Sequence, residues 1–240
     1  MSRRTYVTFL WNGNRSYKPE HVNILGNALK HWDSNCKLIC ITDATNGFNR
    51  NVEVLPMPKA AERLGNIQAP QGGRFPSSYR RLWCFSEEAK VLGERIMLLD
   101  IDCMVVKNPL SLWCVEGDFV GWQPITIWGK ENRLGGGTWL LKTGKLTGLW
   151  DKFIQEPLKL VQETQEMGWN GSDQAIMSRF LKNQPRWQRY CGIYGIQDKV
   201  MTWEIPPKNA IFVHFNGEDK PWDMNKLWIR AYFNYFRGIQ

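Results

Sequence analysis

The sequence lacks any long hydrophobic run. No stretch approaches the roughly 18 consecutive apolar residues that a transmembrane helix needs. The first residues, Met1-Ser-Arg-Arg-Thr-Tyr-Val, contain no apolar core of a secretory signal peptide. These features predict a cytoplasmic protein without a transmembrane segment. The sequence also has no internal repeat, low-complexity segment or obvious linker, so we expect one domain over residues 1–240.

Cysteine is scarce and scattered. No two cysteines form a Cys-x-x-Cys pair, and none has the spacing of a zinc site. Most of them stand in apolar runs, so we expect buried, reduced thiols rather than a disulfide framework. The six are Cys36, Cys40, Cys84, Cys103, Cys114 and Cys191.

Acidic residues are outnumbered by basic ones. There are 31 Lys and Arg against 23 Asp and Glu, a formal net charge of +8 with an isoelectric point near 9.2. The charge favours anionic partners such as phosphates, nucleic acid, acidic glycans or a membrane surface. The apolar share of 43% and the charged share of 22% are those of a globular protein, which excludes disordered, collagenous and coiled-coil classes. Thirteen tryptophans offer core packing or stacking on sugars and bases.

Hydrophobic periodicity predicts an α/β fold. The chain opens in the order β-α-β-β, which is typical of a mostly parallel sheet covered by helices. Apolar runs predict strands at 6–11, 37–42, 52–55, 95–100, 118–122, 138–141 and 211–215. Helical spacing predicts helices at 19–32, 77–92, 144–154, 172–181 and 224–236.

The stretch 59–76 differs from its surroundings because it contains Pro70, Gly72, Gly73 and Pro76 and shows little periodicity after Leu64. We expect most of it to be a loop, either one that becomes ordered over a binding site or a plain surface loop.

Two carboxylates, Asp100 and Asp102, follow the apolar strand 95–100 and are separated by Ile101. In an extended segment, residues i and i+2 point to the same side, where like charges repel unless a cation or a basic group lies between them. Carboxylate oxygens suit Mg²⁺ or Mn²⁺, and open α/β sheets bind ligands at the carboxyl ends of their strands. A solvated turn with a capping Asp is the alternative.

A second motif ends the last predicted strand at His214 and continues to Lys220. A neutral imidazole would complete a carboxylate metal site. Gly217 would allow a phosphate close to the backbone, and Lys220 would supply a positive charge for it. The alternative is a structural histidine followed by a turn.

Two polar segments stand before other predicted elements. Asp173 and Gln174 begin a helix, where they either contact sugar hydroxyls or only favour the helix dipole. Gly135 and Gly136 open the run Gly-Gly-Gly-Thr before a strand, which either admits a ligand close to the backbone or forms a turn.

Taken in this order, the motifs resemble those of the glycogenin-like, retaining GT-A glycosyltransferases, and the resemblance spans nearly the whole chain. The matching segments are Val7 to Asn12, Arg81 to Phe85, the Leu-Asp-Ile-Asp-Cys motif at 99–103, the glycines before Thr138, Gly171 to Gln174, and His214 to Trp222.

The resemblance implies a single Rossmann-like GT-A domain and a role for each motif. Asp100, Asp102 and His214 would hold Mn²⁺ or Mg²⁺, and Asp173, Gln174 and Lys220 would act in catalysis. Residues implied to bind the nucleotide sugar are Thr8, Phe9, Trp11, Asn12, Arg81, Asp100, Ile101, Gly135, Gly136, Gly217 and Lys220.

The implied activity is metal-dependent transfer of a hexose from a nucleotide sugar, expected to be a UDP-sugar, to an acceptor hydroxyl with retention of configuration. The acceptor stays open between a glycan, a protein and a hydroxylated DNA base. A non-catalytic, basic binding module for nucleic acid or anionic glycan is the alternative. Its support is the net charge and the mixing of basic and aromatic residues at 186–190 and 228–232.

Overall fold

The computed structural model describes residues 3–13, 17–67, 78–125, 133–195, 204–215 and 220–239. In chain order its strands and α-helices are β1 (Arg4–Leu10), α1 (Pro19–Trp32), β2 (Cys36–Thr42), β3 (Val52–Pro56), α2 (Lys59–Leu64), β4 (Arg95–Leu99), β5 (Cys103–Val105), α3 (Leu110–Trp113), β6 (Phe119–Trp122), β7 (Gly135–Lys142), α4 (Thr147–Gln155), α5 (Pro157–Glu166), α6 (Asp173–Phe180), β8 (Ile193–Gly195), β9 (Phe212–His214) and α7 (Leu227–Arg237). Within the described residues, 3-10 helices cover Ser78–Phe85, Glu87–Leu92 and Pro221–Asp223.

The central sheet has six strands in the order β3-β2-β1-β4-β7-β6. Strand β1 is parallel to β2 and to β4, and β2 is parallel to β3. Only β7 is antiparallel to its two neighbours. The predicted α/β class with a mostly parallel sheet is confirmed.

Both faces of the central strands of this sheet are buried, which explains their apolar runs, whereas the edge strand β3 is partly exposed. Alternate residues of a strand point to opposite faces. Tyr6 of β1 packs in the cluster that contains α1, while the next residue, Val7, packs in the cluster that contains Trp83 and Phe153. The helices therefore lie on both sides of the sheet.

A second, three-stranded sheet has the order β5-β9-β8. Strand β5 is antiparallel to β9, with Cys103 opposite His214. Strands β5 and β8 have only three residues each, too few to show a period, so the sequence did not predict them. This sheet places His214 beside the turn that follows β4.

The predicted helix at 77–92 is instead two 3-10 helices that are interrupted at Ser86, which has an extended backbone. In the stretch 59–76, α2 covers Lys59–Leu64, before the point where the periodicity ends. Most of the predicted loop, 68–76, lies outside the described residues. Four cysteines are buried as predicted, whereas Cys114 is exposed and Cys191 is partly buried; all six are free thiols. Within the described parts of the chain, no helix is long and apolar enough to cross a membrane.

Candidate active site

The candidate site lies where β4 ends. The backbone amide of Asp100 donates to the carbonyl of Gly137 in β7 at 2.9 Å, and the amide of Cys103 donates to the carbonyl of Asp100 at 3.1 Å. Asp100 to Cys103 is therefore a turn. The expectation of an extended segment with both carboxylates on one side is wrong, because the chain reverses here to enter β5.

Arg81 joins two of the predicted motifs. Its guanidinium forms an ion pair with Asp100 and a second one with Asp173, at 2.6 Å from Nη2 to Oδ2. Its Nη1 also donates to the carbonyl of Gly136 at 3.3 Å. Burial opposes the charge on Arg81, but the two carboxylates raise its pKa above the ordinary value. Arg81 therefore stays charged and holds the β4 turn, β7 and the start of α6 together.

Asp173 is buried at the first turn of α6. Its Oδ1 accepts a hydrogen bond from the Ser78 hydroxyl at 2.5 Å. Burial raises the pKa of Asp173, while Arg81 and Ser78 act in the opposite direction. Ser172 caps the helix by accepting from the amide of Ala175 at 3.4 Å. The Asp173 carboxylate also accepts from the backbone of Gln174, in addition to its partners across the site.

Asp102 is buried and contacts different partners. Its Oδ2 accepts from Lys220 Nζ at 2.5 Å and from the Tyr17 hydroxyl at 2.7 Å. Lys220 also donates to the carbonyl of Phe215 at 3.3 Å. Burial and the nearby Asp100 raise the pKa of Asp102, and Lys220 lowers it. The two carboxylates of the Asp-x-Asp motif are thus each neutralised by a cation of this chain.

His214 is fully buried at the end of β9. Its Nε2 lies 2.5 Å from the Thr138 hydroxyl, and its ring stacks on Trp122 with centroids 5.1 Å apart. Its Nδ1 has no hydrogen-bond partner among the described residues. Burial lowers the pKa of His214 to about 3, so the ring is neutral at physiological pH. A neutral imidazole with one nitrogen that has no hydrogen-bond partner can bind a metal ion through that nitrogen.

The glycines before Thr138 lie inside β7 and allow side chains of this chain to approach closely. A Cβ on Gly135 would stand 2.3 Å from the Trp122 ring, and a Cβ on Gly136 would stand 3.3 Å from both Arg81 and Gln174. A Cβ on Gly137 would stand 2.8 Å from His214 Nδ1 and 3.3 Å from Asp100 Oδ2. Gly137 therefore keeps open the space between the imidazole and the carboxylate.

The three predicted metal ligands are not assembled into one cluster. Across the described residues, no three His, Cys, Asp or Glu side chains are grouped so that they could hold a metal ion. Asp100 Oδ2 and His214 Nδ1 face the same space beside Gly137, whereas Asp102 is paired with Lys220. The donor types nevertheless fit a hard divalent cation, and the unpartnered Nδ1 of a buried His214 supports this fit.

The residues predicted near a nucleobase are mostly buried. Thr8, Phe9 and Trp11 are at most 8% exposed, and Ile101 packs in the core. Asn12 is exposed, and its amide donates to the Asp43 carboxylate at 3.0 and 3.1 Å. The Arg80 guanidinium lies 5.0 Å from the Trp11 ring centroid. Gly217 lies outside the described residues.

Sequence reasoning missed the residues that support the predicted ones. Tyr17, Ser78, Thr138 and Trp122 contact Asp102, Asp173 and His214 from elements far apart in sequence. Thr138 had a local signal, because it directly follows the three glycines, and Ser78 stood at a predicted helix start. No local pattern points to Tyr17 or Trp122.

One tryptophan of the basic and aromatic segments is buried in the core. Trp187 is 2% exposed, and its indole donates to the carbonyl of Leu112 at 2.9 Å. Arg186 donates to Gln123 at 2.7 Å, and Arg230 donates to Asn225 at 3.1 Å. Trp187 therefore packs in the core and is not available to a base, which removes part of the support for a nucleic-acid module.

The fold matches solved glycosyltransferases along the whole chain. The galactosyltransferase LgtC, solved in complex with donor and acceptor sugar analogs, aligns with a TM-score of 0.69 and 12% identity over 98% of this chain and 95% of its own. This chain has the GT-A fold.

Two larger enzymes share the fold. GlyE of Streptococcus pneumoniae aligns with a TM-score of 0.58 and 15% identity over 98% of this chain and 60% of its own. The bifunctional glycosyltransferase WbbM aligns with a TM-score of 0.64 and 11% identity over 100% of this chain and 50% of its own. This chain thus spans only about half of WbbM. No protein-family model and no curated protein matches the sequence.

Proposed function

We propose that this protein is a metal-dependent glycosyltransferase that moves a hexose from a nucleotide sugar, expected to be a UDP-sugar, to an acceptor hydroxyl with retention of configuration. The observation that carries the proposal is the position of Arg81. Arg81 forms ion pairs with Asp100, in the Asp-x-Asp motif, and with Asp173, at the start of α6. It therefore joins the proposed metal and phosphate site to the proposed sugar site. The GT-A fold of the chain supports the same conclusion.

Asp100, Asp102 and His214 are the proposed ligands of Mn²⁺ or Mg²⁺. His214 offers its unpartnered Nδ1, and Asp100 Oδ2 faces the same space across Gly137. When bound, a divalent cation stabilises the negative charge of a leaving diphosphate. Asp102 takes part only if it shares its Oδ2 with, or gives up, Lys220.

Lys220 is the proposed partner of the diphosphate. It is 7% exposed and is held by Asp102 and by the Phe215 carbonyl, so its ammonium has a defined position. Negative charge grows on the diphosphate as the bond to the sugar breaks, and a positioned cation stabilises that charge more in the transition state than in the ground state. Gly217 is proposed to let the phosphate approach the backbone.

Asp173 and Gln174 are proposed to face the transferred sugar. In the reaction the bond between the sugar C1 and the diphosphate oxygen breaks, and a bond from C1 to the acceptor oxygen forms on the same face. The acceptor proton passes to an oxygen of the leaving diphosphate. Asp173, which forms an ion pair with Arg81, is proposed to stabilise positive charge on the sugar ring. Gln174 lies against Gly136 beside it.

The donor's base is proposed to lie at the end of β1, near Thr8, Phe9, Trp11 and Asn12. Of these, Asn12 is exposed, so we expect direct contact from it and from the backbone of its neighbours. The acceptor is a glycan, a protein or a hydroxylated DNA base. For a DNA acceptor, the +8 charge would supply phosphate contacts.

A donor panel tests this function. UDP-, GDP- and ADP-hexoses are incubated with the protein and Mn²⁺, and release of the nucleoside diphosphate is measured with and without EDTA. We expect metal-dependent release from a UDP-hexose and a thermal stabilisation by UDP with Mn²⁺. Asp173→Asn should keep the stabilisation and lose turnover. The control is Glu163→Gln, which alters a partly exposed ion pair with Arg179 and should behave as the wild type.

Absence of release from every donor, with and without added glycan acceptors, would refute the enzyme assignment. Binding of anionic glycan or nucleic acid without any turnover would then favour the non-catalytic module. Retention is read separately, from the anomeric configuration of the product by proton NMR.

A further inference from the structure

Tyr17, which lies just before α1, contacts two residues of the proposed site at once. Its hydroxyl donates to Asp102 Oδ2 at 2.7 Å. Its ring lies under Lys220, with Nζ 4.9 Å from the ring centroid. Lys220 Nζ is itself 2.5 Å from the same oxygen of Asp102. One side chain therefore fixes the carboxylate with its hydroxyl and the ammonium with its ring.

The Tyr17 ring is in turn held in place by aromatic packing. The ring of Trp222 meets it edge-on, with centroids 5.4 Å apart and planes at 77°. Trp222 stacks on His21 of α1 at 3.7 Å with nearly parallel planes. Trp222 also contacts Phe233 of α7 at 6.3 Å. The direction of the Tyr17 hydroxyl is thus set by side chains from α1, α7 and the segment after Lys220.

We propose that Tyr17 is a positioning residue for the transfer reaction: its hydroxyl orients Asp102 for the cation, and its ring holds Lys220 above that carboxylate. The inference rests on the proposed function. A metal ligand needs a fixed orientation, and a hydrogen-bond donor beside a carboxylate ligand supplies it. A cation over an aromatic face is attracted by the negative charge of that face.

A different role for the same ring would be to stack on the base of the donor. Stacking needs the ring and not the hydroxyl, and it would require Lys220 to leave the face that it covers. Positioning needs both the hydroxyl and the ring. Tyr17→Phe, which removes only the hydroxyl, therefore separates the two roles.

The matched control is Tyr6→Phe. The Tyr6 hydroxyl also donates to a buried aspartate, Asp33, at 3.3 Å, and accepts from the Trp113 indole at 2.8 Å. Asp33 pairs with Arg4 at the start of β1, whereas the site lies at the carboxyl end of β4, which is parallel to β1. Both Phe variants lose a hydroxyl that donates a hydrogen bond to a buried aspartate. Only Tyr17→Phe should change the site.

Binding of Mn²⁺ without donor is measured by electron paramagnetic resonance for the wild type, Tyr17→Phe, Tyr17→Leu and Tyr6→Phe, at a temperature where thermal unfolding shows each to be folded. We expect the Kd for Mn²⁺ to rise about 10-fold in Tyr17→Phe, as for other partners of metal ligands, and to stay within twofold in Tyr6→Phe. In turnover, Tyr17→Phe should lower kcat more than it raises KM for the donor. Tyr17→Leu should also release Lys220, seen as a shift of its side-chain ¹⁵N signal.

Equal Mn²⁺ affinity and kcat in Tyr17→Phe and the wild type, with a raised donor KM in Tyr17→Leu alone, would overturn the positioning role and leave a stacking one. A wild-type protein that binds no Mn²⁺ and cleaves no nucleotide sugar would overturn the proposed function, and this inference with it. The wild-type measurement thus tells the two failures apart.

Discussion

Gly137 lies so close to His214 that a Cβ on the glycine would stand 2.8 Å from the imidazole Nδ1. The same Cβ would stand 3.3 Å from Asp100 Oδ2. Glycine at this position of β7 therefore preserves the space that the carboxylate and the imidazole share. The glycine run was ambiguous in the sequence, whereas the structure shows why position 137 requires a glycine.

Gly137→Ala should abolish Mn²⁺ binding, because the new methyl group fills the space in front of Nδ1. Overpacking of this kind costs about 1–3 kcal/mol of unfolding free energy. The control is Gly148→Ala in α4, where a Cβ meets nothing within 4 Å. That change should stabilise the protein by up to about 1 kcal/mol, because alanine favours a helix. Titration calorimetry measures the Mn²⁺ affinity of the two variants, and urea unfolding measures their stability. Retained Mn²⁺ affinity in Gly137→Ala would contradict the proposed metal site.

Asp102→Asn should remove metal-dependent donor binding and also destabilise the fold. Like-charge repulsion with Asp100 alone suggests that the fold would be little affected or even gain. The structure reverses this expectation, because Asp102 is the counter-ion of buried Lys220. Breaking a buried pair by removing one partner typically costs about 3–5 kcal/mol. The double variant with Lys220→Met should recover part of that loss in urea unfolding, whereas strict additivity of the two single changes would show that the pair contributes nothing.

Arg81→Lys should lower kcat by about 100-fold, a typical loss for one electrostatic group in an active site. A lysine carries a single ammonium and cannot form both ion pairs that the guanidinium makes with Asp100 and Asp173. Steady-state kinetics with the donor identified by the panel measures the effect. Arg179→Lys, which alters a half-exposed pair with Glu163, serves as the control and should be nearly silent.

The stability of the protein should fall as the pH is lowered from about 6.5 towards 4. Burial lowers the pKa of His21 to about 4, and its Nδ1 accepts a hydrogen bond from the amide of Lys18 at 3.2 Å. The contribution of His21 to the free energy of unfolding is fully present above its unfolded pKa near 6.5. It is lost as the pH falls towards its pKa in the folded protein, because only the unfolded chain binds the proton in that range.

His21→Phe keeps a ring against Trp222 and removes this titration. The difference in unfolding free energy between pH 7 and pH 4.5 should therefore shrink by about 1–2 kcal/mol relative to the wild type. Urea unfolding at the two pH values measures this difference. An unchanged difference would show that His21 does not contribute to the pH dependence of stability between pH 7 and pH 4.5.

Long or strongly patterned elements were readable from the sequence. The spacing of Val22, Leu25 and Leu29 predicted α1 with the bounds that the structure shows. Apolar runs located β1, β2, β3, β4 and β6 to within two residues. In the central strands this is because burial on both faces favours apolar residues at successive positions. The two short strands β5 and β8 have too few residues to show a hydrophobic periodicity, so they were not predicted. The sequence analysis also missed α5.

The sequence by itself determined which residues are candidates for the chemistry: the carboxylates after β4, the histidine that ends β9, Lys220, and Asp173 at a helix start. Only the tertiary structure decided which of them meet. Arg81 reaches Asp173 across 92 positions of sequence, and Tyr17 reaches Asp102 across 85. Such pairs leave no local pattern, because sheet order and chain reversal, not spacing along the chain, bring their side chains together. Local hydrophobic periodicity fixes the elements, whereas long-range packing fixes their partners.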